Sequence, residues 1–378
     1  MKIIIAPNAF KGALSAPLAA QAIADGLRHA GYADLHLLPI ADGGDGTLDA
    51  FLHALGGQRR SLTVRDALGR PCQAEYAILS DGTALIEMAQ ASGLRQLMPA
   101  DYDTWRASTI GTGELLRAAL EAGARRFIVG LGGSATTDGG AGALQALGVR
   151  FLNAQNRPEW VQGGGALRRI ANVDLSGLDP RWRDCEIILA SDVDNPAVGP
   201  QGAAYIFARQ KGADDAQIAQ LDAHLDHYFG LLARATGRDV RAMHGAGAAG
   251  ALAGGLLTIL GGRIEAGVEL LLDAAHFDSF LAGAGLLISG EGQIDGQSLR
   301  GKAPFGAARR AKAAGVPCVA LVGSVGADLD EAELAALGID VVLPIGPRPM
   351  PLSEALALTA DSLRQTAYRL GRLLALTR

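Results

Sequence analysis

The sequence predicts an α/β protein made of two α/β domains, one of them an open parallel sheet. Three observations predict it. Short apolar, β-branched runs recur along the chain. Several end in a loop of Gly, Asp or Ser that leads into a segment of helical periodicity, the pattern of parallel βα units. Residues 61–88 instead alternate apolar and polar side chains, which reads as antiparallel strands and a change of domain.

The strand-like runs are Lys2–Ala6, Leu35–Ile40, Phe127–Gly130, Glu186–Ala190, Gly285–Ser289, Cys318–Gly323 and Val341–Ile345. Ala- and Leu-rich stretches between them read as helices over Ala16–Ala30, Gly46–Leu55, Thr112–Ala122, Pro304–Ala314, Leu329–Leu337 and Pro351–Leu376. From Ser61 to Met88 the strings LTVRDAL, CQAEYAIL and TALIEM form the alternating strands, joined by turns at Leu68-Gly69-Arg70-Pro71 and Ser80-Asp81-Gly82. The βα units after residue 285 are similar in length to those before residue 58. The expected organisation is a discontinuous open-sheet domain, 1–58 plus 285–378, interrupted by an α/β insert over 60–284.

Composition narrows the function. A chain of 378 residues with a net charge of −5 lacks the basic footprint that a phosphate backbone selects for, so no nucleic-acid partner is expected. With 49% hydrophobic and 19% charged residues it can fill a large core, which excludes disorder or a coiled coil as the main architecture. Cys72, Cys185 and Cys318 are widely spaced and form no CxxC pair, as expected of reduced structural thiols. The start MKIIIAPNAFKG lacks the apolar core of a signal peptide, and small residues dominate the uncharged run from Gly245 to Gly262. A cytoplasmic protein without a membrane partner is expected.

Ligands of open parallel sheets bind beyond the strand carboxyl ends, where loops and free N–H groups converge. That rule selects Pro7–Gly12, Ala41–Thr47, Gly132–Gly140, Ser191–Pro196 and Gly290–Asp295, in most of which carboxylates and glycines alternate. Glycine lets backbone N–H groups approach anionic oxygens, while aspartate can bind Mg²⁺ or accept a hydroxyl proton. The combination suggests a nucleotide and a small hydroxylated substrate.

Other motifs are weaker. Gly245-Ala246-Gly247-Ala248-Ala249-Gly250 fits GxGxxG, yet Arg234–Met243 before it is too charged for the buried strand a dinucleotide fingerprint needs. Gly296–Ala303 fits GxxxxGK, but Ala303 stands where a P-loop requires a Mg²⁺-ligating hydroxyl. Lys11, Lys211 and Lys302 are glycine-flanked loop cations suited to phosphate. His224 and His227 belong to a solvated helix face, and no Ser or Cys has a nucleophile motif.

Eight strings together resemble the bacterial glycerate kinase family that lacks a P-loop: APNAFKGALSA (6–16), PIADGGDGT (39–47), TALIEMAQASGL (83–94), STIGTGELL (108–116), GLGGSATTDGGAGALQALG (130–148), SDVDNPAVGPQGAAYIFARQKGA (191–213), GAGAAGALAGG (245–255) and SGEGQIDGQSLRGKAPFGAA (289–308). They run in order from end to end. The resemblance implies a flavodoxin-like domain carrying a second α/β domain, with the active site in the cleft between them. It also implies ATP- and Mg²⁺-dependent phosphorylation of D-glycerate, with 2-phosphoglycerate as the usual product; the 3-phosphate or a related hydroxyacid substrate are the alternatives. The family's first loop usually reads APDSFKGS, and here Asn8, Ala9 and Ala13 replace an acid and two serines.

On that resemblance Asp192, Asp295 and Lys302 are the expected catalytic residues, Asp192 as base. Asp42, Asp45 and Asp295 are the expected Mg²⁺ ligands. Lys11, Asp42, Gly43, Gly44, Asp45, Gly133, Ser134, Thr136, Asp138, Asn195, Lys211, Gly245, Gly247, Glu291 and Ser298 are expected to bind nucleotide or substrate. Two rival readings are an NAD-dependent oxidoreductase, from the GAGAAG string, and a metabolite-binding regulator, from the altered first loop. The motifs leave oligomeric state open, and a homo-oligomer is compatible with them.

Overall fold

The computed structural model describes residues 1–295, 303–327 and 329–376. The chain forms two compact units, Met1–Gly56 with Ala266–Arg378, and Gly57–Glu265. Its strands are β1 (Lys2–Pro7), β2 (Leu35–Leu37), β3 (Gly57–Arg65), β4 (Pro71–Leu79), β5 (Ala84–Glu87), β6 (Arg126–Gly130), β7 (Arg150–Leu152), β8 (Asn172–Asp174), β9 (Glu186–Ala190), β10 (Arg263–Glu265), β11 (Ala284–Ile294), β12 (Cys318–Val325) and β13 (Val341–Pro344).

The first unit is a five-stranded parallel sheet in the order β2-β1-β11-β12-β13. Counted within the unit this is 2-1-3-4-5, the flavodoxin-like order. Its central strands are apolar runs such as Ile3-Ile4-Ile5, fully buried as strands covered on both faces must be. The helices Ala16–His29 and Thr359–Leu376 pack so closely that a Cβ at Gly26 would lie 2.1 Å from the Arg364 carbonyl oxygen. The C-terminal helical pattern over 351–376 is broken at Leu358 into Leu352–Ala357 and Thr359–Leu376.

Residues 266–283, which the sequence pattern groups with the insert, cluster with the first unit. Two contacts explain this. Arg310 donates to Glu269 (2.5 and 2.9 Å) and Asp273 (2.6 Å), and Gly267 seats itself against Asp42.

The second unit is a mixed six-stranded sheet, β10-β9-β6-β5-β4-β3, in which β3, β4 and β5 pair antiparallel and the others parallel. A separate ribbon pairs β7 with β8. Its longest helix, Asp215–Thr236, starts at a capping box in which Asp214 accepts the N–H of Gln217 and Gln217 accepts that of Asp214. Leu221, Leu225, Tyr228, Phe229 and Leu232 on that helix fill the core, the 3.6-residue spacing of a buried face.

Candidate functional site

In the first unit the strand order reverses between β1 and β11, so their carboxyl ends form the switch point where open sheets bind ligands. Asn8, buried there, donates its N–H to Gly290 O (2.8 Å), and its Oδ1 accepts the N–H of Ala9 (2.7 Å). This turn presents Lys11 to solvent. Glu291 is buried on β11, and Asp295 just beyond its end accepts weakly from Gln293 (3.4 Å). Asp42 and Asp45 are half-buried in a loop closed by the Gly44 N–H on Asp42 Oδ1 (3.1 Å) and the Thr47 hydroxyl on Gly44 O (2.6 Å). Ser298 and Lys302 lie outside the described residues.

Four strand ends of this unit meet at a cavity of about 610 Å³. Phe10 and Lys11 follow β1, Glu291 and Gln293 belong to β11, Ser324 lies next to the last residue of β12 and Ile345 follows β13. The remaining wall comes from residues 348–362. The sequence pattern reads most of that last segment as helix and gives it no part in a site.

In the second unit, β6 and β9 are neighbours and their exit loops meet the turn at 245–251. The Gly247 N–H donates to Asn195 O (2.9 Å), and the Gly139 N–H donates to Gly250 O (3.0 Å). Ala249, Gly250 and Ala251 all hold left-handed φ, between 56° and 66°, inside the helix Ala248–Leu260. At Gly250 a Cβ would stand 2.0 Å from Thr136 O, so no other residue fits. The segment preceding this turn is the helix Asp215–Thr236 and a loop, without the strand of a dinucleotide fold. The GAGAAG string therefore does not form a dinucleotide fingerprint, and it packs against the neighbouring loops.

Lys211 ends a short 3-10 turn and is 2% exposed. Its Nζ donates to Ser134 Oγ and Thr136 O, both at 2.7 Å. Burial pulls its ammonium down to about 7, against the opposing pull of Asp138. Asp138 is itself buried and accepts from the Thr109 N–H (2.8 Å) and hydroxyl (2.9 Å) and from the N–H groups of Gly140 (3.1 Å) and Gly142 (3.2 Å). Burial raises its carboxyl in spite of those donors. The position occupies its oxygens with the loop and with the helix starts at Ile110 and Ala141, so Asp138 acts by holding the loop.

Around it, the Thr136 and Tyr228 hydroxyls are buried with no hydrogen bond within the protein. Tyr228 packs under the loop, where a Cβ at Gly139 would lie 2.8 Å from its ring, and burial pushes its phenol well above the ordinary value. Thr109 lies in the string STIGTGELL without being singled out there, and Tyr228 carries no motif. Glu87, buried at the carboxyl end of β5, accepts from Gln90 (3.2 Å).

Asp192 is half-buried on the β9 exit loop. Nearby, Asn195 donates to Gln201 O (2.9 Å), and Asp194 meets His244 (3.0 Å) in solvent. Gly133 and Gly245 hold left-handed φ of 75° and 78°. His224 and His227 hydrogen-bond the carbonyls of Gly164 (3.2 Å) and Ile170 (2.7 Å) and so tie their helix to its neighbour. Among the described residues no three His, Cys, Asp or Glu converge as a metal site, and no helix is long and apolar enough to cross a membrane.

Comparison with known proteins bears on this arrangement. The sequence model of the glycerate kinase family matches residues 3–375. A protein of Bacillus subtilis (strain 168) named glycerate kinase is 44% identical over 97% of this chain and 96% of its own length. One of Escherichia coli (strain K12) named glycerate 2-kinase is 42% identical over 100% of this chain and 98% of its own. A crystal structure from Salmonella typhimurium LT2, whose assignment as glycerate kinase 2 is marked there as provisional, superposes with a TM-score of 0.86 at 41% identity. The superposition covers 100% of this chain and 99% of that one.

Proposed function

This chain belongs to the glycerate kinase family, and from that premise we propose that it phosphorylates D-glycerate at its 2-hydroxyl, using ATP and Mg²⁺. Members of the family are kinases with an alcohol group as acceptor, and ATP use follows from that class. The observation that carries the finer reading is the match with a relative named glycerate 2-kinase over 100% of this chain and 98% of that one. The reaction is in-line attack of the hydroxyl on the γ-phosphorus, where positioning and charge neutralisation supply most of the acceleration.

Asp192 accepts the hydroxyl proton. The loops 132–140 and 245–250 offer backbone N–H groups to phosphate oxygens, and Lys211, with Asp138, Thr109 and Tyr228 behind it, fixes the first of them. Lys11 and Lys302 meet phosphate or the substrate carboxylate. Mg²⁺ commonly takes one or two carboxylates and leaves its other positions to phosphate and water. Asp42 and Asp45, half-buried and three residues apart, fit that demand, as does Asp295. Held there, the ion would neutralise phosphate charge and orient the leaving group. We place the enzyme in the cytoplasm.

The test is ATP consumption with D-glycerate and Mg²⁺, followed by ³¹P NMR. A phosphomonoester coupled to one CH proton supports the 2-phosphate; coupling to a CH₂ shows the 3-phosphate. Binding of ATP without turnover would replace this reading with the regulator.

A further inference from the structure

We propose that the cavity of the first unit, at the ends of β1, β11, β12 and β13, binds the nucleoside of ATP, an inference that rests on the kinase reading above. Its volume of about 610 Å³ is far more than a three-carbon acid fills and lies within the range that takes a nucleotide-sized ligand. Its location is the crevice where open sheets bind ligands, beside the β1/β11 switch point.

The lining matches the two ends of a nucleotide. Phe10, Ile345, Met350 and Leu356 supply apolar walls for a flat base. Gln293 and Ser324 bring amide and hydroxyl groups, which can read the edge of a base or a ribose. Two cations, Lys11 and Arg348, share the same lining and suit an anionic phosphate chain. Arg348 is itself oriented by an ion pair with Glu354. A purely apolar ligand would not engage the charge of Lys11 or Arg348, and a small hydroxyacid would leave the apolar walls unfilled.

The experiment photolabels the full-length wild type with 8-azido-ATP and maps the label by peptide mass spectrometry, with and without excess ATP. ATP-protected label on peptides covering 345–362 is expected. Protected label confined to 131–140 or 245–251 overturns the proposal. In parallel, Ala355→Trp, which fills the cavity, is expected to raise KM for ATP by about tenfold or more while KM for D-glycerate stays within about twofold. An unchanged KM for ATP in this folded variant overturns the site. Ser324→Tyr on the opposite wall gives the same reading if the first variant does not fold. Labelling needs no acceptor, so a wild type that labels at 345–362 yet does not turn over D-glycerate supports this site while the proposed function fails.

Discussion

Lys211 turns a buried contact into a pH-dependent stability that can be measured. With a folded-state value near 7 against an ordinary 10.5, the lysine is neutral in the folded chain and charged in the unfolded chain between those two values. Throughout that window the unfolded state binds more protons, so the lysine's contribution makes stability rise with pH. Below about pH 7 both states carry the charge and the full penalty of burying it remains. The slope approaches ~1.36 kcal/mol per pH unit, which gives about 2 kcal/mol between pH ~7 and ~9. Lys211→Met removes this dependence. It also leaves Ser134 Oγ and Thr136 O without their donor, at a pH-independent cost of roughly 1–3 kcal/mol. Asp138 acts on the lysine's charge, so the difference between wild type and variant reads the lysine together with its coupling to Asp138. Urea unfolding followed by tryptophan fluorescence is the assay, because Trp105, Trp160 and Trp182 all lie in the second unit and report on it alone. The stability difference between the two proteins should change by about 2 kcal/mol across the window. A difference that stays flat would refute the reasoning.

Asp192→Asn should lower kcat by about 10²-fold or more with little change in KM for ATP, and a variant with full turnover removes Asp192 as the base. Gly250→Ala places a methyl 2.0 Å from Thr136 O at a left-handed φ of 64°; the second unit should lose about 2 kcal/mol or more by the same fluorescence assay. Asp138→Asn sets an amide N–H₂ among four donors and should cost roughly 3 kcal/mol, visible as a lowered midpoint in urea, whereas an unchanged midpoint would mean those donors find other acceptors. Chelation of Mg²⁺ should abolish turnover, and its re-addition should restore it.

Much of the fold is legible in the residues because strand cores announce themselves. Ile3-Ile4-Ile5, Phe127–Gly130 and Glu186–Ala190 are short apolar runs whose neighbours are turn formers, and each forms the strand it predicts. The antiparallel strings between Ser61 and Met88 are equally plain, since period-two alternation has one structural meaning. The return to the first unit is not legible. Ala266 and Gly267 look like any loop, and it is the bonds of the distant Arg310 to Glu269 and Asp273, with Gly267 against Asp42, that show this helix belongs there. Within the site, glycine and aspartate mark the loops but not their roles. Asp138 reads as a ligand and folds as a buried anchor. Thr109 and Tyr228 are not singled out by the sequence, yet Thr109 donates twice to that anchor and Tyr228 packs under its loop.

The first loop illustrates the same division between shape and charge. Asn8 replaces an acid that the family usually carries, at the switch point of the sheet. Its Oδ1 accepts the N–H of Ala9 and its own N–H reaches Gly290, so the amide closes the turn as a carboxylate would. The buried amide thus fits this turn without carrying a negative charge. At 2% exposure a carboxylate there would pay a large desolvation penalty unless a cation stood against it. A protein with a neutral residue at that position must draw its charge from elsewhere. Asp42, Asp45 and Asp295 in the first unit, and Asp192 in the second, are half-buried carboxylates on strand-end loops, and under the proposed reaction they are the groups that would supply it.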